Sequence, residues 1–215
     1  SRDLITTNDK HTKAGVNYKV TNSQVEYYFT KAKQKITVLP GFIASTAQGE
    51  TTTLGRGGSD FTAAIVAAAL DVDQVEIYTD VSGMYTANPK MVKQAKPIDS
   101  ISYHEAMELS HFGAKGLYPP TIVPVMSKNI PIRIKNTLQP EDPGTLIHNQ
   151  EGISDNPIKG LSNINNVALL TLEGGGMVGI PGISKRLFET LSNQGINIIL
   201  ITQASSEHSI CLGVM

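Results

Sequence analysis

Three glycines, an arginine and a carboxylate stand together in Gly55-Arg56-Gly57-Gly58-Ser59-Asp60. Glycine lets the backbone take positive φ and come close to a ligand, and a guanidinium offers a planar fork to a carboxylate or a phosphate. Directly behind them runs Phe61 to Leu70 (FTAAIVAAAL), alanine-rich and apolar on nearly all sides, which is the pattern of a buried helix. Ser59 or Thr62 is placed to cap it. The start of such a helix presents unpaired N–H groups and a partial positive charge to an anion. The chemistry on offer is therefore the capture of a carboxylate or phosphoryl group beside Asp60. The bland alternative, a glycine-rich turn that binds nothing, stays open on the local pattern alone.

The elements around this stretch must place it. Ile36 to Ile43 (ITVLPGFI) reads as a buried strand of a parallel sheet, Ala44 to Leu54 as the loop that delivers the glycines, and Gln74 to Thr79 (QVEIYT) as a second strand. Strand, glycine loop, helix and strand in that order predict a right-handed βαβ unit. In open α/β sheets a ligand lies at the carboxyl ends of the strands. Thr79, Asp80 and Tyr85, in the stretch Thr79 to Lys90 that leaves the second strand, are then expected to face the same crevice as Gly57 and Asp60. Two plain turns, at Ser82-Gly83 and Asn88-Pro89, are the competing reading.

Upstream, Ser1 to Tyr18 is polar and mainly loop, and Thr21 to Lys35 predicts a surface helix with a basic end that suits the helix dipole. Downstream, Ser102 and Glu105 have capping-box spacing for a helix over Ser102 to His111. Pro119 opens another helix, through about Lys128. His104 and His111 are read as surface residues, since no matching ligand accompanies them. Ile130 to Ile134 and Thr145 to Ile147 are predicted strands. From His148 to Asn166 the composition turns to Asn, Gly, Ser, Asp and Pro, as in a linker. After it, Val167 to Leu172, Pro181 to Gln194, Asn197 to Gln203 and His208 to Val214 read as strand, helix, strand, strand. That is the first two-thirds of a ferredoxin-like βαββαβ module. A module cut there leaves an open sheet edge, which favours pairing with another chain.

Composition narrows the classes. A formal charge of -1 argues against a general nucleic-acid or membrane-surface role, because either needs a basic face. The single cysteine, Cys211, makes no internal disulfide and anchors no metal cluster, so a reducing compartment is the simplest setting. No long apolar run and no leader pattern stand in the sequence, and cytoplasmic is the default expectation.

The stretches TTLGRGGSDFTAA, YTDVSGMYTANP and SYHEAMELSHFGAKGLYPPT occur in that order and closely resemble aspartate kinases of the amino-acid-kinase superfamily. GGGMVGIPGISKRLFETLSNQGINIILITQASSEHSICLGV resembles the start of their regulatory ACT region, in wording most like the bifunctional aspartokinase/homoserine dehydrogenase version. The resemblance implies an α/β chain: the C-terminal half of an amino-acid-kinase fold over 1–148, with a mainly parallel sheet and flanking helices, then a linker and a partial ACT module (βαββ) over 149–215. It implies transfer of the γ-phosphoryl group of Mg-ATP to the side-chain carboxylate of L-aspartate, giving 4-phospho-L-aspartate on the way to threonine, lysine and methionine. Arg56 and Ser59 would bind aspartate. Gly57, Gly58 and Asp60 would surround the transferring group. Thr79, Asp80 and Tyr85 would hold adenosine, and Lys90 and Lys115 would serve the nucleotide, Lys115 at its phosphates.

Two positions depart from the usual wording. Lys90 stands where many relatives have arginine, keeping the charge and losing the fork, and Asn88 replaces the usual aspartate. The family's KFGGTS stretch, with its phosphate-neutralising lysine, is absent from these residues, which leads to the expectation of an internal fragment inactive by itself. Ile201 and Gln203 are the candidate contacts to a feedback ligand. Threonine is the one the resemblance implies, with lysine and methionine-derived effectors open. A homodimer through ACT modules is expected. The alternative for the isolated chain is a non-catalytic module that binds nucleotide and effector.

Overall fold

The computed structural model describes residues 1–111, 117–150, 158–203 and 208–215. It divides into two compact units, Ser1–Asn163 and Ile164–Met215.

In the first unit a short strand β1 (Thr6–Thr7) leads to helix α1 (Tyr18–Lys31), whose N-cap Asn17 accepts a hydrogen bond from Val20 N. The helix starts before the predicted Thr21 and stops at Lys31, because Ala32 turns extended; Lys33 and Lys35 lie beyond it. Strands β2 (Ile43–Thr46) and β3 (Thr51–Thr53) form a hairpin, and β2 also pairs in parallel with β1. Helix α2 (Gly58–Leu70) follows, then β4 (Val75–Thr79), β5 (Ser100–Ser102) and α3 (Tyr103–His111). A single turn of 3-10 helix at Pro119–Thr121 runs into α4 (Ile122–Met126), and β6 (Ile132–Asn136) and β7 (Thr145–His148) complete a second sheet in the order β4-β6-β7-β5. In it β4 runs parallel to β6, β6 antiparallel to β7, and β5 parallel to β7. One apolar cluster joins Ile77, Met84, Ile101, Tyr103, Ile122, Ile132, Ile134 and Ile147 under this sheet; a second gathers Ile5, Val25, Ala44, Leu54 and Ile65 between α1, α2 and the first sheet.

Three expectations are corrected. Ile36 to Ile43 is not a buried strand: Ile36 and Val38 are 81% and 87% exposed, and pairing begins only at Ile43. Pro40 has no N–H to give a ladder, and Phe42 sits at φ 77, outside strand geometry. The expected loop Ala44 to Leu54 contains the β2–β3 hairpin, whose polar Thr-rich strands carry no apolar signal. The strands flanking α2 do not form a simple βαβ unit, since β3 belongs to the first sheet and β4 to the second.

The second unit is β8 (Ala168–Glu173), a 3-10 turn at Gly175–Met177, α5 (Ile183–Asn193), β9 (Ile198–Gln203) and β10 (Ser209–Val214), in sheet order β8-β10-β9, all antiparallel. This is the expected βαββ order. Pro181 and Gly182 precede α5, and Gly195, at φ 67, follows it. Leu191 packs with Ile210, Leu212 and Val214 of the central strand. Leu172 stands opposite Ile210 and Leu170 opposite Leu212, so both lie on the helix-covered face, yet they remain 38% and 42% exposed. One helix covers the central strand and leaves β8 bare.

Candidate functional site

The glycine turn is built by close backbone packing. Gly57 is left-handed at φ 67, and a Cβ there would stand 2.5 Å from the Cβ of Tyr118, so position 57 tolerates only glycine without movement. Gly57 itself is the N-cap of α2, and no side chain caps the helix. The expected caps do other work. Ser59 is exposed, while Thr62 Oγ1 donates to Gly58 O (2.8 Å) and accepts from Phe42 N (3.0 Å), tying the Pro40–Phe42 segment to the helix. Gly58 N donates to Gly55 O, and Phe61 N to Gly57 O. The amides of Ser59 and Asp60 have no hydrogen-bond partner among the described residues, which leaves two donors at the positive end of α2. Arg56 is exposed beside them, and Asp60 is partly buried. Burial raises the Asp60 pKa. The arrangement can hold an anion on backbone donors with a guanidinium at its side.

The second group lies at the end of β4. Thr79 is partly buried, Asp80 exposed, and Thr79 Oγ1 donates to Asp80 Oδ1 (3.2 Å). The loop behind them is pinned rather than free. Ser82 is buried and donates to Gln139 and Asp142, while Asn136 Nδ2 donates to Ser82 Oγ (3.0 Å). Gly83, at φ 106, lies so close to Thr145 that a Cβ would overlap its hydroxyl. Thr145, fully buried, accepts from Met84 N (2.8 Å) and donates to Ile98 O (2.6 Å). Tyr85 bridges to Pro97, and Asn88 Oδ1 accepts from Lys90 N (3.0 Å), leaving the Lys90 side chain exposed.

Arg56, Gly57, Gly58, Ser59 and Asp60 thus form one continuous turn, and Thr79, Asp80, Tyr85 and Lys90 lie on one stretch anchored to the β6–β7 turn. Lys115 lies outside the described residues. In the second unit Gln203 lines a cleft of about 380 Å³ with Pro181, Gly182, Ser184, Lys185 and Ile210, at the start of α5. Ile201 does not line it and is 56% exposed on β9.

Sequence reasoning missed Tyr118 and Thr145. Both were read only as parts of elements, and their roles depend on partners 61 residues away: Tyr118 meets Gly57, and Thr145 meets Met84. Among the described residues no group of three or more His, Cys, Asp or Glu could hold a metal ion. No described helix is long and apolar enough to cross a membrane.

The model of the amino acid kinase family matches residues 2–136, and that of an ACT domain matches residues 170–215. The chain is 46% identical over 199 residues to the chloroplastic bifunctional aspartokinase/homoserine dehydrogenase 1 of Arabidopsis thaliana, covering 90% of this chain and 22% of that protein. Its fold is similar to that of E. coli aspartokinase III crystallised with aspartate and ADP in the R-state (TM-score 0.82, 35% identity, 99% of this chain and 47% of that one). It is also similar to the same enzyme crystallised with lysine and aspartate in the T-state (TM-score 0.78, 34% identity, 100% of this chain and 48% of that one). The chain therefore spans less than half the length of each of these three relatives.

Proposed function

Since the chain belongs to the amino acid kinase family and carries an ACT domain, we propose that it is the nucleotide-side part of an aspartate kinase with the first part of its regulatory module. The division is read as 1–148 for the kinase part and 149–215 for linker and ACT part. The reaction is transfer of the γ-phosphoryl group of ATP to the side-chain carboxylate of L-aspartate. The observation that carries this reading is the turn from Arg56 to Asp60, where the Ser59 and Asp60 amides at the start of α2 have no partner among the described residues and the exposed Arg56 stands next to them in the chain.

In this reading Arg56 pairs with a carboxylate of aspartate, and Ser59 contacts the same substrate. The amides around Gly57 and Gly58 face the transferring phosphoryl oxygens, which gain charge in the transition state. Asp60, whose neutral form is favoured by burial, orients a cationic group that approaches the phosphates. Thr79, Asp80 and Tyr85 take the adenosine, Lys90 and Lys115 the phosphate side. Magnesium enters on the nucleotide, where it neutralises phosphate charge.

Regulation is assigned to the second unit. Gln203 lines the cleft at the start of α5, where backbone donors and a side-chain amide suit the polar ends of a free amino acid. Threonine is the proposed effector, with Gln203 its contact in this cleft and Ile201 outside it; lysine, present in the T-state relative, is the rival. The bare β8 strand supports pairing of ACT modules between two copies.

Calorimetry with aspartate and with ADP tests the kinase assignment. Replacing Arg56 by Ala should weaken aspartate binding about 10- to 100-fold, the scale of one hydrogen-bonded charge pair, and leave ADP binding unchanged. Aspartate binding that survives the change removes Arg56 from the site.

A further inference from the structure

The stretch that leaves the first unit, from Ile158 to Leu161, is fastened at three successive residues. Lys159 Nζ lies 2.9 Å from Glu105 Oε1 and 3.0 Å from Glu105 Oε2, engaging both oxygens of the carboxylate. At Gly160 the backbone runs so close to α3 that a Cβ would stand 3.1 Å from Leu109 Cδ2 and 3.5 Å from Thr86 O. Leu161 N then donates to Thr86 O at 2.8 Å.

Each end of this strap meets something already ordered. Glu105 closes the capping box of α3, accepting from Ser102 N (2.9 Å) and Ser102 Oγ (2.8 Å). Its carboxylate is held in place before Lys159 arrives, so the ion pair loses less side-chain freedom than an ordinary surface pair, whose worth is small for that reason. At the other end, Thr86 directly follows Tyr85 in the loop assigned to the nucleotide. Its N–H donates to Lys96 O (2.8 Å) and its hydroxyl accepts from Lys96 N (3.1 Å). With Leu161 on its carbonyl, every polar group of Thr86 is engaged. Glu105, Lys159, Leu161 and Thr86 thus connect the start of α3 to the nucleotide loop through a strap that lies 54 residues beyond Glu105 in the chain.

We propose that Lys159 is a positioning residue for nucleotide binding: by gripping Glu105 it holds Leu161 on Thr86 and so sets the conformation of the loop that carries Tyr85. The inference rests on the assignment of that loop to the nucleotide. It also supplies a physical route for regulation, because Ile158 to Asn163 is the covalent lead into the second unit. Tension on this segment would act on the Leu161–Thr86 bond.

The test compares the wild-type chain with Lys159→Ala and Lys159→Arg, titrating ADP and aspartate separately by calorimetry and following amide exchange at Leu161. Lys159→Ala should raise the Kd for ADP about three- to tenfold, the effect of losing one charge-assisted restraint, speed exchange at Leu161, and leave the Kd for aspartate unchanged. Lys159→Arg, which keeps the charge and the reach, should restore both ADP binding and protection. Equal ADP affinity in wild type and Lys159→Ala overturns the inference while leaving the kinase reading intact. Equal weakening of both ligands assigns Lys159 a purely structural role and overturns it as well. A wild-type chain that binds aspartate and no ADP removes the nucleotide assignment itself, and the inference falls with it.

Discussion

Replacing Gly57 by Ala is the sharpest probe of how the glycine turn is made. Two costs act at that position. The residue is left-handed at φ 67, which disfavours an L side chain by about 1–2 kcal/mol, and the new Cβ would meet Tyr118 Cβ at 2.5 Å, an overlap that forces a shift worth about 1–3 kcal/mol. The total, about 2–5 kcal/mol, is a large share of the roughly 5–15 kcal/mol that holds an ordinary domain folded. Gly49 separates the two costs, since it is also left-handed, at φ 85, and a Cβ there meets nothing within 4 Å; its alanine variant should lose only the backbone part. All seven tyrosines lie between Tyr18 and Tyr118 and the chain has no tryptophan, so tyrosine fluorescence during urea unfolding reports the first unit alone. Tyr118→Ala removes the overlaps with Cγ and Cδ1 (2.7 and 2.9 Å) but keeps that with Cβ, so it should rescue Gly57→Ala only in part, whereas Tyr118→Gly should remove the whole packing cost. Equal losses for the Gly49 and Gly57 variants would refute the claim that close packing against Tyr118, rather than backbone geometry alone, demands glycine.

Two further outcomes follow from side-chain environments. Burial acts to raise the Glu105 pKa, but the Lys159 ammonium and the Ser102 donors outweigh it and hold the carboxyl below its ordinary 4.5. With a depressed folded value, the stabilisation is fully present above pH 4.5 and is lost as the pH falls through the lower folded pKa; Glu105→Gln should therefore flatten the acid limb of a stability-against-pH curve measured by urea unfolding, and a curve parallel to wild type would contradict the pairing. In the second unit, Gln203→Ala should weaken threonine binding about tenfold, the loss of one hydrogen bond of roughly 1–1.5 kcal/mol, as read by calorimetry; undiminished heat of binding would exclude Gln203 as a contact.

What could be read from the chain alone was whatever depends on neighbours a few residues away. The capping box of Ser102 and Glu105 closes within one helical turn, and the second unit's βαββ order follows from alternating apolar runs punctuated by Pro181 and Gly195. The glycine turn announced itself in the same way, because unusual backbone demands an unusual residue. Tertiary structure decided what distant partners must settle. Ile36 to Ile43 has the composition of a buried strand, but Pro40 and the left-handed Phe42 interrupt it, and the threonine-rich hairpin beside it pairs without an apolar signal. Whether β3 and β4 share a sheet, why Gly57 can be nothing larger, and how Lys159 reaches Glu105 all depend on contacts across tens of residues. Local sequence encodes propensity, caps and turns through interactions within a few residues; strand pairing and close packing answer to atoms that only the folded chain brings together.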